Sequence, residues 1–275
     1  MLTHVKSTNR RGFAEENSKR LRRVLIFYTG GTIGMMPSSR GYVPKSGYLP
    51  KLLESLPMFH DKDYDLSNEI LPTIVPTSND DEKEENKSST TTATATNDTI
   101  TSTETLPHLS PTATYDLTLD SQTPRRLNKT QPTITSSISS PLVTPVSEYG
   151  RRTLYYINEY NPLLDSCNIS SIDWSMLAKD IKNNYSEFDA FIILHGTDTM
   201  AYTASALSFM LDNVCKTIVI TGSQIPLVRP RNDGVSNLLG ALAITGHYDI
   251  PEVLLFFGSK MLRGNRTSKI DCTFI

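Results

Sequence analysis

Four short apolar runs stand out along the chain, and each one ends in a polar or glycine-rich loop. They cover residues 23–28, 189–194, 216–221 and 252–257. Continuous apolar runs of this length are typical of strands that are buried on both faces of a parallel sheet. We therefore predict a strand at each position, with a loop at its carboxyl end.

Helical spacing of apolar residues follows between the later runs. One stripe extends from Met200 to Val214 and another from Val235 to Leu242, with apolar positions three and four residues apart. A third helix is predicted to begin near Asp173, which we interpret as its cap. Strands that alternate with amphipathic helices favour right-handed βαβ units. We therefore predict an α/β fold, a doubly wound and mostly parallel sheet with helices on both faces.

Two segments depart from this pattern. Residues 1–22 mix charges of both signs and contain no apolar run long enough for a secretory signal, so we predict a disordered leader. Residues from about 77 to 147 begin with an acidic cluster and continue as a tract rich in Ser, Thr, Ala and Pro. Such a tract cannot bury enough apolar surface to offset its ordering entropy. We predict a disordered insertion within one domain spanning residues 23–275, with the flanks of the insertion close together in space.

Composition and charge exclude several classes of protein. With 27 basic and 29 acidic residues the net charge is -2, which argues against nucleic acid as a partner. The longest apolar stretches are far below the ~20 residues of a membrane span. Cys167, Cys215 and Cys272 are odd in number and show no metal-binding spacing, so we interpret them as reduced thiols of a cytoplasmic protein. This spacing gives no indication of a metal site.

Chemistry in this fold class is expected at the carboxyl ends of the strands. The first run leads into the segment from Thr29 to Gly34, where paired glycines allow a sharp turn that holds Thr32. A phosphate-binding loop is one alternative, but no Gly-Lys-Ser/Thr follows and the glycines do not fit GxGxxG. A purely structural turn is another alternative.

Two further strand ends carry reactive side chains. Thr197 and Asp198 stand side by side after the run at 189–194, although either could simply cap the helix that follows. His195 is interpreted as a satisfied core residue rather than a general base. The last run leads into a basic loop that ends at Lys269, for which a solvated loop is the alternative. A lysine in a partly desolvated pocket has a lowered pKa and can accept a proton from a hydroxyl such as that of Thr197.

Four extended motifs occur in a distinctive order. They are Thr29-Gly-Gly-Thr-Ile33, His195-Gly-Thr-Asp-Thr-Met-Ala-Tyr-Thr203, Thr221-Gly-Ser-Gln-Ile-Pro226 and Arg263-Gly-Asn-Arg-Thr-Ser-Lys269. With them the chain resembles the cytoplasmic, type I branch of the bacterial-type L-asparaginases, over about residues 24–76 and 149–275. The resemblance implies a Rossmann-like large domain that hydrolyses L-asparagine to L-aspartate and ammonia without a metal or an organic cofactor. It also implies a cytoplasmic location and a homo-oligomer at full length.

The resemblance also implies catalytic roles. Thr32 is the expected nucleophile, which forms a β-aspartyl acyl-enzyme that water then hydrolyses. Thr197, Asp198 and Lys269 are expected to form a second cluster with Lys269 as its base. Tyr42, ten residues after Thr32, is expected on a mobile lid over the nucleophile.

Substrate recognition is implied in the same way. In the pair Asp165-Ser166, the Ser166 hydroxyl is expected to bind the α-carboxylate, while Asp198 pairs with the α-ammonium. The backbone carbonyl of Ser223 is expected to accept from the leaving amide. Cys167 stands where a second serine is expected, and the alternative for it is a small buried thiol without a role.

In the family, the segment after Lys269 continues into a linker and a smaller C-terminal domain. Here only six residues follow Lys269, so we expect a truncated chain that is inactive or nearly so alone. The alternative to an enzyme is a non-catalytic derivative that binds the amino acid or pairs with full-length subunits.

Overall fold

The structure is a computed structural model that describes residues 21–39, 41–77 and 134–271. These residues belong to one compact unit. Its strands are β1 (Arg22–Gly30), β2 (Met35–Ser38), β3 (Gly41–Pro44), β4 (Thr135–Ile138), β5 (Leu142–Val143), β6 (Thr153–Leu164), β7 (Ala190–Leu194), β8 (Thr217–Thr221), β9 (Val253–Phe257) and β10 (Lys260–Arg263). Its helices are α1 (Tyr48–Ser55), α2 (Ser171–Asn183), α3 (Met200–Met210) and α4 (Gly234–His247).

The main sheet has the order β10-β9-β8-β7-β1-β6-β4, and β5 also pairs with β6. The five strands from β9 to β6 run parallel, while β10, β4 and β5 are antiparallel additions. One apolar cluster holds residues of α2 and α3 and the other holds residues of α1 and α4, so helices cover both faces. The predicted α/β class is confirmed. None of the helices in the described parts of the chain is long and apolar enough to cross a membrane.

The four predicted strands and three predicted helices are present, with corrections at one helix end and one helix start. The apolar stripe from Met200 to Val214 predicts too long a helix, because α3 ends at Met210. The cap of α2 is Ser170 rather than Asp173. Asp173 lies in the first turn, and its carboxylate accepts from the Ser170 backbone N–H at 2.7 Å. This reciprocal arrangement is a capping box, which satisfies donors that the helix start leaves free.

The longest strand, β6, did not emerge from the apolar pattern. Its first eight residues are all buried, yet they include Asn158 and Glu159. These polar residues interrupt the apolar run that identifies a buried strand. In the parallel pairing with β1, Asn158 is in register with Phe27 and Glu159 with Tyr28.

The predicted boundaries of the leader and the insertion are wrong where the structure describes them. Leu21 is buried and β1 begins at Arg22, so the leader does not reach residue 22. β4 and β5 lie inside the predicted insertion and pair with β6. The Thr77 N–H donates to Ser136 Oγ at 2.8 Å. The chain near residue 77 therefore lies next to the chain near residue 136, as predicted for the flanks of an insertion. Residues 1–20 and 78–133 lie outside the described residues.

Two fully buried asparagines provide a matched test of polar burial. Asn158 has no hydrogen-bond partner for its side-chain amide among the described residues, whereas the Asn184 amide bonds to Val75 and Asp180. We expect Asn158→Leu to raise the free energy of unfolding by about 1 kcal/mol, because a buried amide without partners is costly. Asn184→Leu should lower the free energy of unfolding by about 2 kcal/mol, because the backbone groups of Val75 and Asp180 lose their hydrogen bonds to its side chain.

Urea denaturation of both variants and the wild type checks this pair. Equal destabilisation by the two substitutions would contradict the expected difference.

Candidate functional site

Glycines bring the ends of β1 and β7 into direct backbone contact. Gly30 ends β1 and Gly31 follows it, with φ values of 136° and 86°, which L side chains rarely adopt. A Cβ on Gly31 would lie 2.6 Å from the Gly196 Cα, closer than any side chain allows. The backbone just before Thr32 therefore touches the backbone just before Thr197.

The loop after β6 joins the same contact. A Cβ on Gly196 would lie 2.6 Å from Ser166 Oγ, and a Cβ on Gly30 would lie 2.2 Å from the Leu164 carbonyl oxygen. Ser166 is buried, and its own carbonyl accepts from Thr199 Oγ1 at 2.7 Å. The loops that follow three neighbouring strands thus meet at one edge of the sheet, as expected for a parallel sheet.

Lys269 reaches this edge from the far end of the chain. Its Nζ donates to Thr197 Oγ1 at 3.0 Å and to Asp198 Oδ1 at 2.9 Å. The Lys269 side chain is 23% exposed, whereas that of Asp198 is 67% exposed. The ammonium group therefore lies between a partly buried hydroxyl and a carboxylate that faces solvent. The structure thus brings together three of the residues that the resemblance singled out.

Gln224 is a member of this cluster to which the sequence assigned no role. Its Oε1 accepts from Thr197 Oγ1 at 3.2 Å, so the Thr197 hydroxyl accepts from Lys269 while it donates to Gln224. The backbone N–H groups of Gln224 and Ile225 donate to the carboxylate of Asp233 at 2.9 and 3.0 Å. Asp233 thereby fixes the loop after β8. Its place in the motif from Thr221 to Pro226 is the sequence signal that could have indicated it.

Ser223 precedes Gln224 and is fully buried. A Cβ on Gly234 would lie 3.3 Å from its Cβ, so the loop packs against the start of α4. The use of its backbone carbonyl stays a prediction.

Tyr42 lies on a two-stranded hairpin formed by β2 and β3, which follows Thr32. Its hydroxyl accepts from Arg229 Nη1 at 3.1 Å, and the guanidinium lies 5.8 Å from the centre of its ring. Arg229 belongs to the loop after β8 that also carries Gln224. The hairpin therefore contacts the rim of the site, and Arg229 is a residue for which the sequence offered no signal.

Cys167 is exposed, so its interpretation as a small buried thiol is wrong. A hydrogen bond to Asp165 raises the pKa of the Cys167 thiol, and the negative charges of Asp165 and Asp198 raise it further. A raised pKa keeps the thiol protonated and weakens it as a nucleophile. Asp165 itself lies on the exposed side of the turn that holds Ser166.

His195 is buried and held by two hydrogen bonds, which confirms its interpretation as a satisfied core residue. Nδ1 lies 2.7 Å from the Gly196 carbonyl, so it carries the proton, and Nε2 accepts from Thr203 Oγ1 at 2.8 Å. Thr203 in turn accepts from Trp174 Nε1 at 2.9 Å. This chain fixes the neutral tautomer and orients the carbonyl that precedes Thr197.

Burial lowers the pKa of His195 to about 4, against the opposing effect of its bond to Gly196. The unfolded chain therefore binds a proton between about pH 6.5 and pH 4 that the folded protein does not. We expect stability to fall as the pH drops through this window, by about 2–3 kcal/mol at pH 4.5 from this group alone.

The measurement is urea denaturation of the wild type and His195→Gln at pH 7 and pH 4.5. The variant should lose less stability than the wild type by that amount. Equal losses would show that His195 does not contribute.

Within residues 21–39, 41–77 and 134–271, no group of three or more His, Cys, Asp or Glu side chains could hold a metal ion. The site instead consists of hydroxyl, carboxylate, amide and ammonium groups.

Comparison with protein families matches residues 23–275 to the family described as Asparaginase, N-terminal. The chain is 38% identical over 248 residues to an L-asparaginase of Dirofilaria immitis, covering 90% of this chain and 31% of that protein. It is 35% identical over 246 residues to L-asparaginase 1 of Escherichia coli K12, with coverages of 90% and 47%. It is also 34% identical over 250 residues to the human 60 kDa lysophospholipase, with coverages of 91% and 32%. The chain thus spans between about a third and about half of the length of these relatives.

Solved structures have the same fold. L-asparaginase I from Vibrio cholerae matches with a TM-score of 0.56 and 32% identity, covering 91% of this chain and 49% of that one. The L-asparaginase from Thermococcus kodakarensis matches with a TM-score of 0.50 at 21% identity, covering 92% of this chain and 49% of that one, which supports the fold alone.

Proposed function

Since the chain belongs to the asparaginase family, we propose that it carries the amidohydrolase site that converts L-asparagine to L-aspartate and ammonia. The observation that carries this proposal is the cluster of Lys269, Thr197 and Asp198 beside the glycine turn that presents Thr32. A lysine that bonds to a hydroxyl at a strand end is suited to move protons during acyl transfer.

The proposed reaction has two steps. The Thr32 hydroxyl attacks the side-chain amide carbon, the C–N bond breaks, and ammonia leaves with the proton from that hydroxyl. Water then attacks the resulting β-aspartyl ester, releases aspartate and restores the Thr32 hydroxyl. Lys269 and Thr197 relay protons in both steps, with the Thr197–Gln224 hydrogen bond holding the hydroxyl in place.

Recognition of the amino acid uses groups on both sides of the strand-end contact. The partly engaged Asp198 carboxylate faces solvent and supplies the charge that pairs with the α-ammonium. Ser166, backed by Gly196 and preceded by Asp165, binds the α-carboxylate. The Ser223 carbonyl accepts from the leaving amide, and Tyr42 covers the nucleophile from its hairpin.

A cytoplasmic location and a homo-oligomeric assembly are proposed with this function. Both follow from the resemblance of the motifs to the type I branch of the family.

The test measures ammonia release by the purified protein from L-asparagine and L-glutamine, and fatty-acid release from lysophosphatidylcholine in a parallel assay. The third substrate is included because the human relative is named a lysophospholipase. The proposed site predicts ammonia release from asparagine and no fatty acid from the lipid, and the assay decides between this outcome and the expectation that the chain is inactive or nearly so alone. Binding of asparagine, measured by calorimetry, without turnover would favour the non-catalytic alternative. Release of fatty acid without release of ammonia would favour a lysophospholipase activity.

A further inference from the structure

Glu159 is a buried carboxylate that the proposed reaction does not use. It lies on β6, is only 1% exposed, and reaches from the sheet toward the segment that follows the β2–β3 hairpin. Its Oε1 accepts from Ser46 Oγ at 2.5 Å and from the Gly47 N–H at 2.6 Å. These two donors lie between the end of β3 and the start of α1, so Glu159 holds the far end of the hairpin.

The near end of the hairpin rests on the neighbour of Glu159 in the sheet. Tyr28 pairs with Glu159 in the register of β1 and β6. A Cβ on Gly34 would lie 2.1 Å from the Tyr28 hydroxyl oxygen, so the turn after Thr32 sits directly on this ring. Burial, and then the negative charge of Glu159, raise the pKa of Tyr28, so its hydroxyl stays protonated. Two adjacent residues of the sheet thus support both ends of the hairpin that carries Tyr42.

The hydrogen bonds of Glu159 offset only part of the free-energy cost of burying its carboxylate. Its Oε2 has no hydrogen-bond partner among the described residues. Burying a carboxylate is costly unless its oxygens are fully bonded, and an apolar residue of similar volume is often as stable or more stable. We therefore expect Glu159 to affect the position of the hairpin more than the stability of the fold.

We propose that Glu159 is a positioning residue that anchors the β2–β3 hairpin and thereby holds Tyr42 at the rim of the site. Gly47 adopts a φ of 69°, so the backbone turns sharply where Glu159 grips it. Without the acceptor, the segment between Gly34 and Gly47 keeps its contact with Tyr28 but loses its second support. The effect on turnover rests on the proposed asparaginase function, whereas the effect on the hairpin does not.

The first test compares hydrogen–deuterium exchange in the wild-type chain and in three full-length variants. Glu159→Leu removes the acceptor at similar volume, Glu159→Gln keeps an oxygen acceptor, and Glu187→Leu is the control on a distant turn. We expect amides of β2 and β3 to exchange about tenfold faster or more in Glu159→Leu. They should change less than about threefold in the other two variants, with β1 and β7 unchanged and the melting temperature of Glu159→Leu equal to or above that of the wild type.

Unchanged exchange in β2 and β3, or an equal increase in β1 and β7, would overturn the proposal. If Glu159→Leu does not fold, Ser46→Ala removes one donor from an exposed residue and should still accelerate exchange in β3; no acceleration there also overturns it.

The second test is the kinetics of asparagine hydrolysis. Glu159→Leu should raise KM more than it lowers kcat, because substrate binding must then order the hairpin, and Glu159→Gln should restore most of kcat/KM. Equal kinetics in the two variants count against the proposal. If the wild type shows no hydrolysis, the proposed function fails while the exchange experiment still decides the role of Glu159.

Discussion

Replacement of Thr32 by alanine is expected to lower the rate of asparagine hydrolysis by about 10³-fold or more, because the acyl-enzyme cannot form without the hydroxyl. Thr32→Ser keeps a nucleophile and should retain measurable turnover. Thr32 is half-buried at a turn, so loss of its hydroxyl and methyl should cost little stability. The measurements are ammonia release and the melting temperature of both variants.

A β-aspartyl adduct on Thr32 should also be detectable by mass spectrometry when hydrolysis of the ester is slowed. Turnover by Thr32→Ala above about a tenth of the wild-type rate would remove Thr32 from the mechanism.

Lys269→Met should lower the rate of hydrolysis by about 10²–10⁴-fold, the range for a positioned acid–base group. Lys269→Arg should not restore it, because a guanidinium stays protonated and cannot take a proton from Thr197. The matched control is Lys260→Met, which changes an exposed lysine on the edge strand β10. Steady-state ammonia release by the three variants checks the expectation, and wild-type rates in either Lys269 variant would contradict it.

The central fold could be predicted because its strands are buried on both faces and read as continuous apolar runs. This held for β1, β7, β8 and β9 but not for β6, where Asn158 and Glu159 break the run inside the core. The predicted insertion is too long because β4 is polar in sequence and is stabilised by its pairing with β6. Such pairing with a distant segment leaves no local pattern.

The residues of the candidate site likewise fall into those that the sequence predicts and those that it does not. Thr197, Asp198 and Lys269 stand in motifs, and the structure brings them together. Gln224 and Arg229 owe their positions to the loop after β8, which Asp233 folds through bonds to backbone N–H groups. Contacts made by a folded loop depend on tertiary geometry, so the motif that contains Gln224 does not reveal its partner, and none of the four motifs contains Arg229. The catalytic and binding roles stay predictions.

The contact between Gly31 and Gly196 has a consequence for how the site comes into being. β1 and β7 are neighbours with Tyr28 in register with Leu194, so the turns after both strands reach their places when the strands pair. Glycine has no side-chain rotamer to order at this contact, although ordering its backbone costs more conformational entropy than for any other residue. Pairing of β1 with β7 therefore also brings the two threonine-bearing turns together, and a change that separates these strands separates the turns as well.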